Sequence, residues 1–261
     1  MPDTSPVLVL FSGGRDSFLV ASRIARSGRT AVLLSLDNGA TQGITNVRNG
    51  ADRLIARYGE RVVPAGTYGI ASTIWRLDER WTYMSWKELG ETYPALTNVH
   101  VRCLHCQTAM WIASVAYAKA NRIQTIAAGY RSDDEFCTGI TEWIDQITAL
   151  AERNGISTEF PLWETPEWGT DKNLGRNMEL LDAGFVPKTA EARCLLGRPA
   201  RKPDGAQRRD MDAYFRNIVE PHAQSQIENL TSIMSATRLS NTTPDSALFT
   251  EKAERYMSKP W

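Results

Sequence analysis

VLVLFSGGRDSFLVASRIAR, residues 7–26, contains an abrupt change of period. Residues 7–11 form an unbroken apolar run, the pattern of a strand buried on both faces of a parallel sheet. From residue 16 to 27, Phe18, Leu19, Ala21, Ile24 and Ala25 recur at helical spacing. Between the two lies Ser12-Gly13-Gly14-Arg15-Asp16-Ser17. A strand, a glycine turn and a helix start make an anion site: glycine lets the backbone approach an oxyanion, and the helix offers free N–H groups and its positive end. The hydroxyls of Ser12 and Ser17 are suited to phosphate oxygens. Asp16 repels phosphate, so it reads as a helix cap or as the partner of a cation that bridges phosphates. The turn lacks the lysine of G-x-x-x-x-G-K-[ST] and the spacing of G-x-G-x-x-G.

Working outward, strand and helix patterns alternate. Strands are expected at 31–36, 61–64, 125–128 and 157–162, and helices at 46–58, 108–121, 141–154 and 174–183, the last closed by Gly184. The alternation predicts an α/β fold, a doubly wound parallel sheet with right-handed crossovers and Rossmann-like character. Residues 66–101 break the rhythm with Tyr68, Trp75, Trp81, Tyr83, Trp86 and Tyr93, an aromatic insertion suited to core packing, a partner interface or stacking on a heterocycle. The expected organisation is a nucleotide-binding domain over 1–197, then a linker and helical extension over 198–261, polar from 198 to 209.

Bulk properties narrow the class. Lys plus Arg and Asp plus Glu both number 30, so no dominant nucleic-acid footprint is visible. No apolar run is long enough for a membrane helix and no secretory leader is evident, so a cytoplasmic protein without a membrane partner is expected. Four cysteines are too few for a disulfide scaffold, and Cys103-Leu104-His105-Cys106 suggests metal or redox chemistry.

Ser12, Gly13, Gly14, Asp16 and Ser17 resemble the pyrophosphate loop of the ATP pyrophosphatase (PP-loop) superfamily, whose fold is of the adenine nucleotide alpha-hydrolase type. The resemblance implies that ATP is cleaved to AMP and pyrophosphate as a substrate oxygen is adenylated. Gly13, Gly14 and both serines would hold pyrophosphate, Asp16 would help place Mg2+, and Leu36 and Gly129 would line the nucleotide. Over residues 7–197 the order of pieces looks like the 7-cyano-7-deazaguanine synthases of queuosine biosynthesis: Arg102 before a helix, Gly129 after a strand, Asp133 and Asp134 before Cys137, Lys172 at a helix start, and Gly184 to Pro187 before Cys194. That likeness implies a zinc-binding ligase that adenylates a carboxylate and passes it to ammonia, with Asp16, Lys172 and Arg102 as catalytic residues. A protein partner's carboxylate would serve as well, and a homodimer is compatible.

The chain departs from those synthases, because no cysteine follows Cys194. The Cys103/Cys106 pair instead resembles the element that opens the same helix in iron–sulfur tRNA thiolases. Cys103, Cys106, Cys137 and Cys194 would close one tetrahedral zinc site, with His105 able to replace one of them. Alternatively Cys103, Cys106 and Cys194 hold a 4Fe–4S cluster, or the pair is a plain dithiol. A tRNA thiolase is the alternative function, its tRNA partner less favoured by the neutral composition. A non-catalytic nucleotide-binding subunit is the third.

Overall fold

The structure is a computed structural model and describes residues 4–38, 41–42, 45–70, 86–132, 134, 137–164, 171–186, 193–194 and 202–239. Its strands are β1 Pro6–Leu10, β2 Thr30–Asp37, β3 Thr41–Gln42, β4 Val62–Gly69, β5 Thr125–Ala127, β6 Ser157–Glu159 and β7 Arg193–Cys194. Its helices are α1 Arg15–Arg26, α2 Thr45–Tyr58, α3 Trp86–Thr92, α4 Asn98–Asn121, α5 Thr141–Glu152, α6 Asp171–Asp182, α7 Gly205–Tyr214 and α8 Glu220–Leu239. A π-helical turn, Phe215–Val219, joins the last two.

Five strands pair in parallel in the order β4-β2-β1-β5-β6. The chain runs outward from β1 through β2 to β4, then returns to place β5 on the other flank of β1. The sheet is therefore doubly wound, as the alternation predicted, and its order reverses between β1 and β5. Crevices at such a reversal, beyond the carboxyl ends of the strands, are where open α/β sheets take ligands.

Strand alternation divides the core. Val7, Val9, Ala31, Leu33 and Ala127 face a layer that includes Phe18, Leu19, Ile24, Leu54, Leu180 and Phe185, from α1, α2, α6 and the turn after it. Leu8, Leu10, Val32, Leu34 and Ile126 face Trp111, Ile112, Trp143, Ile147, Tyr214 and Phe215, from α4, α5 and the C-terminal helices. Both faces of β1 and β2 are buried, which is why their sequences read as continuous apolar runs. Residues 211–227 share the second core cluster with the sheet.

Several boundaries differ from expectation. β4 continues from Val62 to Gly69, into the start of the aromatic segment, and tolerates Pro64 because it is an edge strand. β6 stops at Glu159 rather than 162. α4 begins at Asn98, ten residues before the expected start at 108. Its N-cap is Thr97, whose backbone N–H donates to His100 Nδ1 at 3.1 Å. Histidine in place of the usual Glu or Gln of a capping box disguised this start, as did the β-branched Val99 and Val101. The polar stretch after 198 becomes helical at Gly205, where Asp204 caps α7 by accepting from the N–H groups of Ala206 and Gln207. Among the described residues no helix is long and apolar enough to cross a membrane.

Candidate active site

The glycine turn leaves β1 at the centre of the sheet. Gly13 has φ +74, and a Cβ there would lie 2.6 Å from the backbone carbonyl of Asn46 in α2. Only glycine meets both demands, the left-handed backbone and the close approach of α2. Gly14 is the N-cap of α1 and is extended. The two hydroxyls close the turn on itself. Ser17 Oγ donates to Gly14 O at 3.0 Å and accepts the Ser12 N–H at 3.3 Å. Ser12 Oγ accepts the Gly14 N–H at 3.3 Å and lies 3.2 Å from Ser17 Oγ. Three of these four contacts are long, so a charged phosphate oxygen competes well for the same donors. Across the crevice, Gly129 follows β5, and a Cβ there would lie 2.9 Å from the carbonyl carbon of Asp16. Gly129 therefore lets the end of β5 press against the first turn of α1.

Asp16 lies in that first turn and does not cap the helix, since Gly14 holds that position. Its carboxylate meets two arginines from different parts of the chain. Oδ1 is 2.8 Å from Arg176 Nη2 of α6, and Oδ2 is 3.5 Å from Arg131 Nη1 beyond β5. Arg131 also reaches Asp134, with Nη2 3.3 Å from Oδ1, while its backbone N–H donates to Asp134 Oδ2 at 3.1 Å. The arginines are 5% and 6% exposed, a degree of burial that arginine tolerates only when paired. Neither one belongs to the motif at residues 12–17 or to the other expected site residues. A signal existed for Arg176: it stands at the head of an i, i+4, i+7 stripe with the buried Leu180 and Ala183. Arg131 lies four residues past the end of β5, at the sheet reversal.

The other expected residues scatter. Leu36 lies near the end of β2 and packs partly buried against the core. Arg102 is exposed on α4. Lys172 lies in the first turn of α6, four residues before Arg176, its side chain outside the described residues. Asp133 and Trp75, Trp81 and Tyr83 of the aromatic segment are outside them too, as is the side chain of Trp86. Tyr68 and Tyr93 make edge contacts with Tyr117 and Tyr214, and Tyr93 is buried in the core.

The cysteines depart from expectation in position. Cys103 and Cys106 lie in the second and third turns of α4 rather than at its start, so the free N–H groups of the helix end are not beside them. Cys106 Sγ accepts a hydrogen bond from Asn38 Nδ2 at 3.2 Å, which places it at the carboxyl end of β2. Cys137 is fully buried in a one-turn helix, Cys137–Gly139. Burial raises its thiol pKa well above the usual value, and the neighbouring Cys103 and Cys106 raise it further. Three cysteines from two segments are thus gathered at the same sheet edge. His105 does not join them, since its Nε2 lies 2.8 Å from Tyr214 Oη and its ring stacks on Tyr214. Cys194 pairs through its backbone with Thr41, its side chain outside the described residues. Among the described residues no three His, Cys, Asp or Glu side chains are arranged to hold a metal ion.

No protein-family model matches this chain, and no curated protein matches it in sequence. Among solved structures, it is similar to a 4-thiouridine synthetase crystallised with RNA and bound ATP, at a TM-score of 0.59 and 10% identity, over 89% of this chain and 54% of that one. The chain thus spans about half of that protein. It also aligns with the U34-tRNA thiolase NcsA from Methanococcus maripaludis with its 4Fe–4S cluster, at a TM-score of 0.48 and 14% identity, over 89% and 72% of the two chains. A third match is a predicted subunit of tRNA methyltransferase from Methanocaldococcus jannaschii, at 0.38 and 17%, over 73% and 96%. At 10% identity the likeness to the 4-thiouridine synthetase is one of fold alone, a parallel, doubly wound sheet flanked by helices.

Proposed function

We propose that this chain is an ATP-using enzyme of the ATP pyrophosphatase type. It holds the phosphate chain of ATP at Ser12-Gly13-Gly14 and the first turn of α1. An acceptor oxygen attacks the α-phosphorus, the bond to the β-phosphate oxygen breaks, and pyrophosphate leaves. AMP then departs from the acceptor when a second nucleophile takes its place. The carrying observation is the placement of a left-handed glycine turn, two hydroxyls and two buried arginines at the reversal of the sheet. The chain positions the reactants and neutralises charge there, which is what phosphoryl chemistry chiefly requires.

For the acceptor, an RNA base oxygen exchanged for sulfur is the favoured choice. The gathering of Cys103, Cys106 and Cys137 beside the crevice supports it, because sulfur transfer needs thiol groups near the adenylated carbon. The fold shared with a 4-thiouridine synthetase is consistent with it. Amidation of a carboxylate with ammonia, as in 7-cyano-7-deazaguanine synthases, is the second reading, favoured by the chain's zero net charge. Pyrophosphate release separates them. We expect release with ATP, unmodified tRNA and a sulfide source, and loss of it in Ser17→Ala. Release only with 7-carboxy-7-deazaguanine and ammonia would establish the second reading. ATP binding without release in either mixture would leave a nucleotide-binding subunit.

A further inference from the structure

We infer that Asp16 anchors two phosphate-binding arginines and is not a ligand for a divalent cation, so that the chain holds pyrophosphate with no metal ion at Asp16. This rests on the proposal that a phosphate chain occupies the glycine turn. In the sequence a carboxylate beside a phosphate loop calls for Mg2+ to reconcile the two anions. In the structure the reconciling charge is already supplied by protein. Asp16 has Arg176 at 2.8 Å from one oxygen and Arg131 at 3.5 Å from the other. The second carboxylate of the crevice, Asp134, has one oxygen on the Arg131 guanidinium and the other on its backbone N–H. A dication at Asp16 would either displace a buried guanidinium or sit against two of them, and both are electrostatically costly.

The local charges also favour an anion. Among the described residues Asp16 and Asp134 face the guanidinium groups of Arg131 and Arg176, and the positive end of α1 lies at the same place. Arginine keeps its charge whatever the burial, and its fork of donors suits phosphate oxygens. Arg131 is the looser of the pair, at 3.5 Å from Asp16 and 3.3 Å from Asp134, so it can turn to phosphate while Asp16 retains Arg176. The sites of attack and departure lie on opposite sides of the α-phosphorus. Two guanidinium groups on the departing side neutralise the leaving diphosphate as its charge develops.

The test is calorimetric titration of the full chain with inorganic pyrophosphate, once with EDTA and once with magnesium. We expect binding in both buffers, within about threefold of each other, and a loss of about thirtyfold or more in both for Arg131→Gln. Asp16→Asn removes one compensating anion with little change of shape and is expected to leave or strengthen binding in EDTA. Arg176→Lys keeps the charge and controls for misfolding, which thermal melting checks in each variant. Binding that appears only with magnesium and disappears in Asp16→Asn would overturn the inference and leave the proposed activity standing. No binding of pyrophosphate or ATP in either buffer would overturn both.

Discussion

The carboxyl edge of this sheet carries two clusters of chemically active side chains, and they are built in opposite ways. Around Asp16 the groups are charged, and the pairs on Asp16 join three parts of the chain: α1, the loop after β5, and α6. Around Cys106 burial holds the Cys137 thiol un-ionised, and two of the three thiols come from one helix. A charge cluster that closes on itself locks three elements together. A thiol cluster loses little by burial, since an un-ionised cysteine behaves as a small apolar side chain, and so it demands no partner. The first cluster is therefore bound to its geometry, whereas the second leaves its chemistry open.

Five tests break or sharpen that contrast, the substitutions among them in descending size. Arg176→Met leaves Asp16 without its 2.8 Å partner and should cost about 3 kcal/mol by denaturant unfolding, with the double variant Asp16→Asn/Arg176→Met recovering part of it. An additive cycle would show that the pair is not coupled and that the two clusters do not differ. Gly129→Ala places a Cβ 2.9 Å from the Asp16 carbonyl carbon, and the push on α1 should cost about 2 kcal/mol while leaving thiol reactivity unchanged. Cys137→Ala should cost only about 1 kcal/mol, the loss of one buried atom. In the unaltered chain, alkylation should consume Cys103 and Cys106 well before Cys137, whose raised pKa and burial withhold the thiolate. Equal rates by mass spectrometry would contradict the geometry.

The smallest effect tests the start of the cysteine-bearing helix. Burial lowers the His100 pKa below 6.5, with Asp204 opposing the shift. Below that pH the unfolded chain takes up a proton that the folded chain resists, so this contribution is complete above pH 6.5 and is lost as pH falls. His100→Gln, which retains an acceptor for the Thr97 N–H, should flatten the fall in melting temperature on acidification by an amount equivalent to about 0.5 kcal/mol. An unchanged profile would mean that His100 does not titrate against the cap.

Much of the fold was legible because strands buried on both faces and amphipathic helices carry their periods in the sequence. Residues 7–26 announced β1, the turn and α1 to within a residue or two. The start of α4 was not legible, since its cap is a histidine and its first turns carry β-branched residues. Within the candidate site, Ser12, Gly13, Gly14, Asp16 and Ser17 are contiguous and share one turn, so local chemistry announced them together. Arg131 and Arg176 lie 115 and 160 residues beyond Asp16 in the chain, and no local pattern ties them to it.

By itself the sequence determined the succession of the five parallel strands and the helices between most of them, the glycine turn and its backbone and hydroxyl donors, because these depend on backbone preference and short-range spacing. Only the tertiary structure decided what faces Asp16, which thiols assemble and that His105 turns away to Tyr214. Those are contacts between distant segments, set by how the helices pack on the two faces of the sheet, and no period in the chain records them.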